Sequence, residues 1–298
     1  MLGSGAGGGV PQWNCNCDNC TAVRQGMLDA RTQSSLAVSG DGVGWLLINA
    51  SPDILRQLER FPELQPARMP RDTAIKAVLL VDSQIDHTAG LLMLREHAMP
   101  LEIYCTQRVY EDLTSGFPLF TVLKDYCGVN WHEIPVDGSG FAIPGVPGLS
   151  FSCHAIAGTA PPYSPHRQMP AYGDNIALVM RNQSSGRAVF YAPGLASIEP
   201  MLAPRMQVCD LLLLDGTCWS NDELWQCGVG SRRAREMGHL PQSGPDGMLA
   251  ALVDFPHQRK LLIHINNTNP ILNPSSPECR ELRAAGVELA HDGMEFEL

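Results

Sequence analysis

The feature that most constrains this fold is an apolar strand that ends in an acidic residue and a histidine. Residues 78–81 are a run of valine and leucine, which predicts a buried strand. Polar residues follow, and from Thr88 an apolar pattern typical of a helix begins. Asp86 and His87 are therefore predicted at the carboxyl end of a strand, on the turn into a helix. That is where α/β folds place their chemistry.

A cysteine cluster near the N-terminus is the second strong signal. Cys15, Cys17 and Cys20 form a C-x-C-x-x-C pattern, which brings three thiolates into one tight loop. Three cysteines so close together are poorly placed for strain-free disulfides among themselves. Zinc favours tetrahedral sites rich in sulfur, and closed sites of this kind are structural. We predict a structural zinc on these cysteines, with a fourth ligand that the pattern does not identify.

The N-terminus also contains a formal G-x-G-x-x-G pattern, at residues 3–8. A dinucleotide-binding site of that type needs a strand before the glycines and a helix after them. Only two residues precede this pattern, and Pro11, Gln12, Trp13 and the cysteine cluster follow it. We therefore reject a nucleotide-binding role for the glycines.

The composition restricts the class of protein. The chain has 298 residues, 44% of them hydrophobic, which is enough to bury a sizeable core. No linker, repeat or low-complexity segment divides it, so we expect a single domain over residues 1–298, with the cysteine loop 15–20 inside it. A formal charge of −10 argues against nucleic-acid binding. The sequence shows neither a membrane span nor a signal-like N-terminus, so the expected location is the cytoplasm. The other cysteines that we considered are expected to fill the core, namely Cys105, Cys127, Cys153, Cys209 and Cys279.

Two further strands end in polar residues. Residues 211–214 are four leucines followed by Asp215, and residues 260–263 lead to His264. Between them, the loop at residues 237–241 carries His239. Hairpins are predicted where short strands flank turns at residues 40–43 and 182–186. Strands and helices in this mixed order suit a sheet-on-sheet core with helices outside.

The strand at residues 78–81 leads into a motif that resembles the H-x-H-x-D-H metal motif of the metallo-β-lactamase superfamily. Here the frame reads Asp82-x-Gln84-x-Asp86-His87, so the first two histidines are replaced. The strand before His264 resembles the one that carries the last metal histidine of the superfamily. This resemblance implies an α/β fold, the αββα four-layer sandwich.

The resemblance also implies losses. By register, Gly158 stands where hydrolytic relatives have a further metal histidine, and Gly194 stands where they have the aspartate that bridges two metals. Two-metal hydrolysis needs a full ligand set with that bridge. What remains is Asp86, His87 and His264. One carboxylate and two imidazoles form the facial arrangement of non-haem Fe(II) oxygenases.

Over nearly the whole chain the resemblance is to a branch of the superfamily that serves the biosynthesis of pyrroloquinoline quinone (PQQ). It implies Fe(II)- and O₂-dependent hydroxylation of a small precursor derived from a cross-linked Glu and Tyr. In that picture Asp82 and Gln84 hydrogen-bond the substrate or the metal ligands, Asp215 has a similar role, and His239 moves protons. Some relatives place a zinc-binding histidine where this chain has Asn267, which makes Asn267, or a distant Cys or His, the candidate fourth zinc ligand.

Two alternatives remain open. A carrier could take PQQ or its precursor toward the periplasm without catalysis, and a single-zinc hydrolase could use a metal-bound water. The expected partners are the tyrosine-derived precursor and O₂, with no nucleic acid and no membrane. The sequence leaves open whether the chain acts alone or as a homodimer.

Overall fold

Two β-sheets face each other at the centre of the molecule. The structure is a computed structural model and describes residues 1–298. The first sheet has five strands in the order β1-β2-β3-β4-β5, namely Leu36–Val38, Trp45–Ile48, Ile75–Leu79, Leu101–Cys105 and Val129–Glu133. The second has seven in the order β12-β11-β10-β9-β8-β7-β6, which in chain order from β6 are Asp137–Phe141, Leu149–Ala155, Ile176–Asn182, Ala188–Ala192, Leu211–Asp215, Arg259–Ile263 and Val287–Leu289.

The buried strands are apolar on both faces because both faces are covered. In β2, Leu46 and Ile48 belong to the core between the sheets, whereas Leu47 belongs to the outer core of the first sheet. In β10, Leu213 packs between the sheets and Leu212 packs on the outer side. This alternation explains why the sequence shows continuous apolar runs rather than the polar–apolar pattern of a half-exposed strand.

Nine α-helices accompany the sheets. In chain order, α1 to α9 are Asp18–Arg24, Ile54–Arg60, Ile85–Thr88, Gln107–Glu111, Leu119–Leu123, Ala203–Gln207, Glu223–Gln226, Met248–Ala251 and Pro277–Ala284. Residues of α2, α4 and α5 pack on the outer side of the first sheet, and residues of α6, α8 and α9 pack on that of the second. The helix–sheet–sheet–helix layering predicted from the sequence is therefore confirmed. None of these helices has the length and apolar character needed to cross a membrane.

One boundary differs from the prediction. The helix after β3 begins at Ile85 rather than at Thr88, so Asp86 and His87 lie within its first turn. From Ala89 to Leu94 the chain continues as a 3₁₀-helix. A contact distant in sequence fixes this turn, because the backbone N–H of Ala50 donates to the carbonyl of His87 at 2.7 Å. Periodicity of apolar residues carries no information about such a contact.

Candidate active site

Asp86, His87 and His264 converge at the carboxyl ends of β3 and β11. Asp86 and His87 lie in α3, and His264 directly follows β11. One ligand atom from each residue lies within 4.8 Å of the others. His264 Nε2 is 3.2 Å from Asp86 Oδ2, and His87 Nε2 is 3.8 Å from the same oxygen. The three residues offer one carboxylate and two imidazoles to a single ion.

His87 has the surroundings of a metal ligand. Its Nδ1 lies 2.8 and 2.9 Å from the two carboxylate oxygens of Asp82, which fixes the ring orientation. Its Nε2 is buried and has no hydrogen-bond partner. A buried polar atom without a partner costs free energy, and a metal ion would satisfy it. Asp82, at the position of a superfamily metal histidine, is therefore placed to support a candidate ligand and not to serve as one.

The charges of the site are strongly coupled. Burial alone would raise the pKa of Asp86, but His87 and His264 outweigh it and hold this pKa well below its usual range. Burial alone would lower the pKa of His87, but Asp82 and then Asp86 outweigh it and raise this pKa to about 9. In the absence of a metal, a proton on His87 supplies part of the positive charge that a metal cation would supply to Asp82 and Asp86.

A hydroxyl group sets the tautomer of His264. Thr217 Oγ1 donates to Asp215 Oδ1 at 2.6 Å, and it lies 2.9 Å from His264 Nδ1. Because the hydroxyl proton is directed to Asp215, Thr217 Oγ1 accepts from Nδ1–H of His264. In this tautomer the lone pair of His264 Nε2 faces Asp86 Oδ2 at 3.2 Å, and a metal ion bound by both atoms would satisfy them. His264 also has a left-handed backbone, with φ of 54°, which is uncommon for a residue other than glycine.

Asp215 acts inside the protein and does not reach the substrate cavity. Its Oδ2 accepts from the backbone N–H of Leu195 at 2.9 Å and lies 2.7 Å from His239 Nδ1, while its Oδ1 accepts from Thr217. Asp215 is fully buried and both of its carboxylate oxygens are occupied by protein groups, so of the two roles expected for it, support of neighbouring residues agrees with its position and substrate contact does not. Burial alone would lower the pKa of His239, but the charge of Asp215 outweighs it and raises this pKa.

The two positions that have lost metal ligands differ in their surroundings. At Gly158 an added Cβ would lie 2.3 Å from Asn175 Nδ2, so the amide of Asn175 occupies the space of any side chain there. At Gly194 the nearest atom to an added Cβ would be Cε1 of His239, at 4.0 Å. Neither glycine offers a ligand or a bridge to a second metal. His154, four residues before Gly158, pairs across the sheet with Asp137 of β6 and does not join the group.

A cavity of about 290 Å³ opens onto the three metal-binding candidates. Asp82, Gln84 and His239 also line it, and Gln84 Nε2 lies 3.4 Å from the carbonyl of Thr159 in the covering loop. One wall is Gly7 of the N-terminal glycine run, where an added Cβ would lie 3.2 Å from Asp86 Oδ2. The glycines rejected as a nucleotide site thus border the metal-binding candidates.

The cysteine cluster is a separate centre. Cys15, Cys17 and Cys20 each place Sγ within 4.8 Å of the others, and no further His, Cys, Asp or Glu joins them. The side-chain nitrogen of Asn267 lies 3.1, 3.5 and 3.3 Å from the sulfurs of Cys15, Cys17 and Cys20, respectively. Turning the amide over would direct its oxygen at the same point. Three thiolates suit zinc, and the amide oxygen of Asn267, once turned toward them, is the candidate for the fourth position.

Comparison with known proteins agrees with this geometry. Residues 44–265 match the family described as Beta-lactamase superfamily domain. Coenzyme PQQ synthesis protein B of Methylococcus capsulatus is 57% identical over 300 residues, covering 100% of this chain and 99% of that protein. Coenzyme PQQ synthesis protein B of Pseudomonas syringae pv. tomato is 56% identical over 301 residues, with the same coverage. The chain belongs to the coenzyme PQQ synthesis protein B (PqqB) family.

A solved PqqB structure has the same fold. The zinc-bound PqqB from Methylobacterium extorquens superimposes with a TM-score of 0.90 at 36% identity, covering 100% of this chain and 98% of that one. A diphosphatase from the PhnP family superimposes with a TM-score of 0.68 at 20% identity, which shows a shared fold alone. Membership of the PqqB family confirms the resemblance stated from the sequence and, with it, the metallo-β-lactamase fold.

Several residues that line the cavity in this PqqB family member were not predicted from the sequence, among them Gly7, Arg167, Asn175 and Arg232. Gly7 was considered only as part of a nucleotide-binding pattern. Arg167 lies just after a proline-rich segment at residues 161–165, and Asn175 precedes a strand without any motif. The one available signal was Gly158, because a glycine at a ligand position indicates that another group fills the space.

Proposed function

We propose that this protein is an iron- and O₂-dependent hydroxylase of PQQ biosynthesis that acts on the tyrosine-derived precursor. The observation that carries the proposal is the convergence of Asp86, His87 and His264 without a bridging carboxylate. Two imidazoles and one carboxylate with open positions are the ligand set of non-haem Fe(II) oxygenases. The relatives named coenzyme PQQ synthesis protein B support the pathway.

The protein's own residues would hold the site in place. Asp82 orients His87, and Thr217 keeps His264 in the tautomer whose Nε2 is free. Fe(II) held by the three ligands would supply O₂ activation. This organisation needs no second metal, in agreement with the lack of ligands at Gly158 and Gly194.

His239 is the candidate proton-transfer group. Its Nδ1 is held by Asp215, and the residue lines the cavity with its side chain 17% exposed. The charge of Asp215 outweighs burial and raises the pKa of His239, which stabilises the imidazolium form. His239 would therefore donate a proton from Nε2 to an oxygen in the cavity and recover it from solvent.

Anaerobic loading with Fe(II) followed by exposure to O₂ tests the proposal. The substrate is a tyrosine-derived diamino acid with ascorbate as reductant, and the readouts are O₂ consumption and product mass. We expect a product heavier by one oxygen atom that needs Fe(II) and is lost in His264→Ala. His257→Ala, an exposed histidine outside the cavity, should behave like wild type. If no product forms while PQQ binds tightly to both wild type and His264→Ala, the protein is a carrier.

A further inference from the structure

Three hydrogen-bond donors at the cavity lack acidic partners. Arg167, Arg232 and Asn175 line the same space as the metal-binding candidates. The arginines that form ion pairs with carboxylates all lie outside this cavity, namely Arg68, Arg95, Arg108, Arg233 and Arg259. The chain has a formal charge of −10, yet two guanidinium groups beside one cavity have no carboxylate partner. This arrangement indicates a binding site for a negatively charged ligand.

Asn175 provides an independent observation. Its side-chain Nδ2 is buried and has no hydrogen-bond partner, and the residue is 9% exposed. The same amide fills the space beside Gly158, where hydrolytic relatives in the superfamily have a metal histidine. Burying a donor without a partner is unfavourable, so the amide is best explained by an acceptor on a bound molecule. The space that a metal-binding histidine fills in those relatives is thus occupied here by the amide of Asn175, a hydrogen-bond donor.

The two arginines differ in how firmly they are held. The Arg167 guanidinium donates to the carbonyl of Ala160, which ties it across its own loop. That loop is anchored in turn, because Ser164 Oγ donates to the buried Asp112. Arg232 is exposed and follows α7, next to Arg233, which instead pairs with Asp222 at 3.0 Å. One guanidinium is pre-positioned and the other is free to close on a ligand.

We propose that Arg167, Arg232 and Asn175 bind carboxylate groups of the substrate and so select a molecule with at least two of them. Planar guanidinium groups match carboxylates in geometry and charge, and the amide adds a neutral donor. This inference rests on the proposed function insofar as the substrate derives from amino acids. The recognition itself needs neither iron nor O₂.

Binding to zinc-loaded protein under nitrogen tests the inference. Calorimetry would compare dityrosine, a tyrosine-derived diamino acid with two carboxylates, with its bis-methylamide. We expect the diacid to bind more tightly, and Arg167→Gln and Arg232→Gln each to weaken it about tenfold to a hundredfold. Asn175→Asp should also weaken it, because it places a carboxylate against a carboxylate. Arg233→Gln is the matched control and should bind like wild type.

Added salt should weaken diacid binding to wild type more than to the double variant Arg167→Gln/Arg232→Gln. Arg167→Lys, which keeps the charge, should bind between wild type and Arg167→Gln, and thermal unfolding checks that each variant is folded. Equal affinity for diacid and diamide, no diacid binding by wild type, or unchanged affinity in both glutamine variants would overturn the inference. Competition by inorganic phosphate as strong as that by the diacid would overturn the carboxylate assignment. Because no turnover is measured, failure of the hydroxylase proposal would not produce any of these results.

Discussion

Asp82 Oδ1 lies 2.8 Å from Nδ1 of His87, the ring nitrogen that faces away from the proposed metal. Asp82 stands where the superfamily has a metal histidine, and in this protein it holds a different histidine, His87, in position. Its second oxygen lies 2.9 Å from the same nitrogen, so the whole carboxylate serves this ring. The ring of His87 is thereby held in one orientation, with Nε2 directed toward Asp86.

Replacing Asp82 with asparagine should weaken metal binding at the active site. The amide keeps the shape but loses the charge that favours the orientation and basicity of His87, so affinity should fall about tenfold to a hundredfold. Zn²⁺ titration against a competing chelator measures the loss. Glu102→Gln provides the control, because Glu102 contacts the more exposed His132 at 2.5 Å outside the cavity. Equal affinity in wild type and Asp82→Asn would show that the contact does not support the metal site.

Metal binding should release a proton from His87. The pKa of His87 is raised from 6.5 to about 9 in the metal-free protein, because Asp82 and Asp86 outweigh burial. Since a metal needs the neutral imidazole, apparent affinity should rise with pH by up to about tenfold per unit until the pH reaches about 9. Calorimetry in buffers of different ionisation enthalpy should show about one proton released from His87 per ion near neutral pH. Asp82→Asn should reduce that release, and pH-independent binding would contradict the assignment.

Gly7→Ala should disturb the metal site without touching a ligand residue. The new Cβ would lie 3.2 Å from Asp86 Oδ2, close enough that the carboxylate must shift by a few tenths of an ångström. Ligand geometry must be held closely for tight binding, so we expect metal affinity and turnover to fall several-fold. Gly140→Ala is the control, because its Cβ would meet only a carbonyl oxygen at 4.0 Å. A Gly7→Ala protein with wild-type metal affinity would show that the backbone around residue 7 can move away from Asp86 without disturbing the metal site.

Asn267→Ala should weaken the cysteine centre. The side chain faces all three sulfurs, so its loss leaves three ligands for an ion that prefers four. We expect faster zinc loss to a chelator and a thermal midpoint lower by several degrees, whereas Asn267→His should retain zinc because imidazole is a good ligand. Asn273→Ala, an exposed residue further along the loop, should match wild type. Zinc content and unfolding temperature of the purified proteins decide the outcome.

The sequence predicts those parts of the fold and site that depend on local pattern. The leucines of β10 indicate a buried strand because covered sheets need apolar residues on both faces. Asp86, His87 and His264 could be selected because each follows or closes such a strand. The resemblance to the superfamily then identified them as partners, although Asp86 and His264 are 178 positions apart.

Contacts that form only in the tertiary fold could not be predicted from local sequence patterns. Asn175 lines the cavity because the absence of a side chain at Gly158 leaves room for its amide. Arg167 lines it because its loop folds back so that the guanidinium donates to the carbonyl of Ala160. Neither relationship has a period or a spacing. The early start of α3 has the same origin, because the contact with Ala50 is distant in sequence.

The short loop after β11 provides both His264 for one centre and Asn267 for the other. Their partners Asp86 and Cys15 precede them by 178 and 252 residues, respectively. During synthesis on the ribosome, these partners emerge long before the loop does. Neither proposed centre can then be complete until residues 264 and 267 have left the exit tunnel. Ion insertion at the two proposed centres would therefore be a shared event that follows synthesis of this loop, and a truncated chain that ends before residue 264 would complete neither.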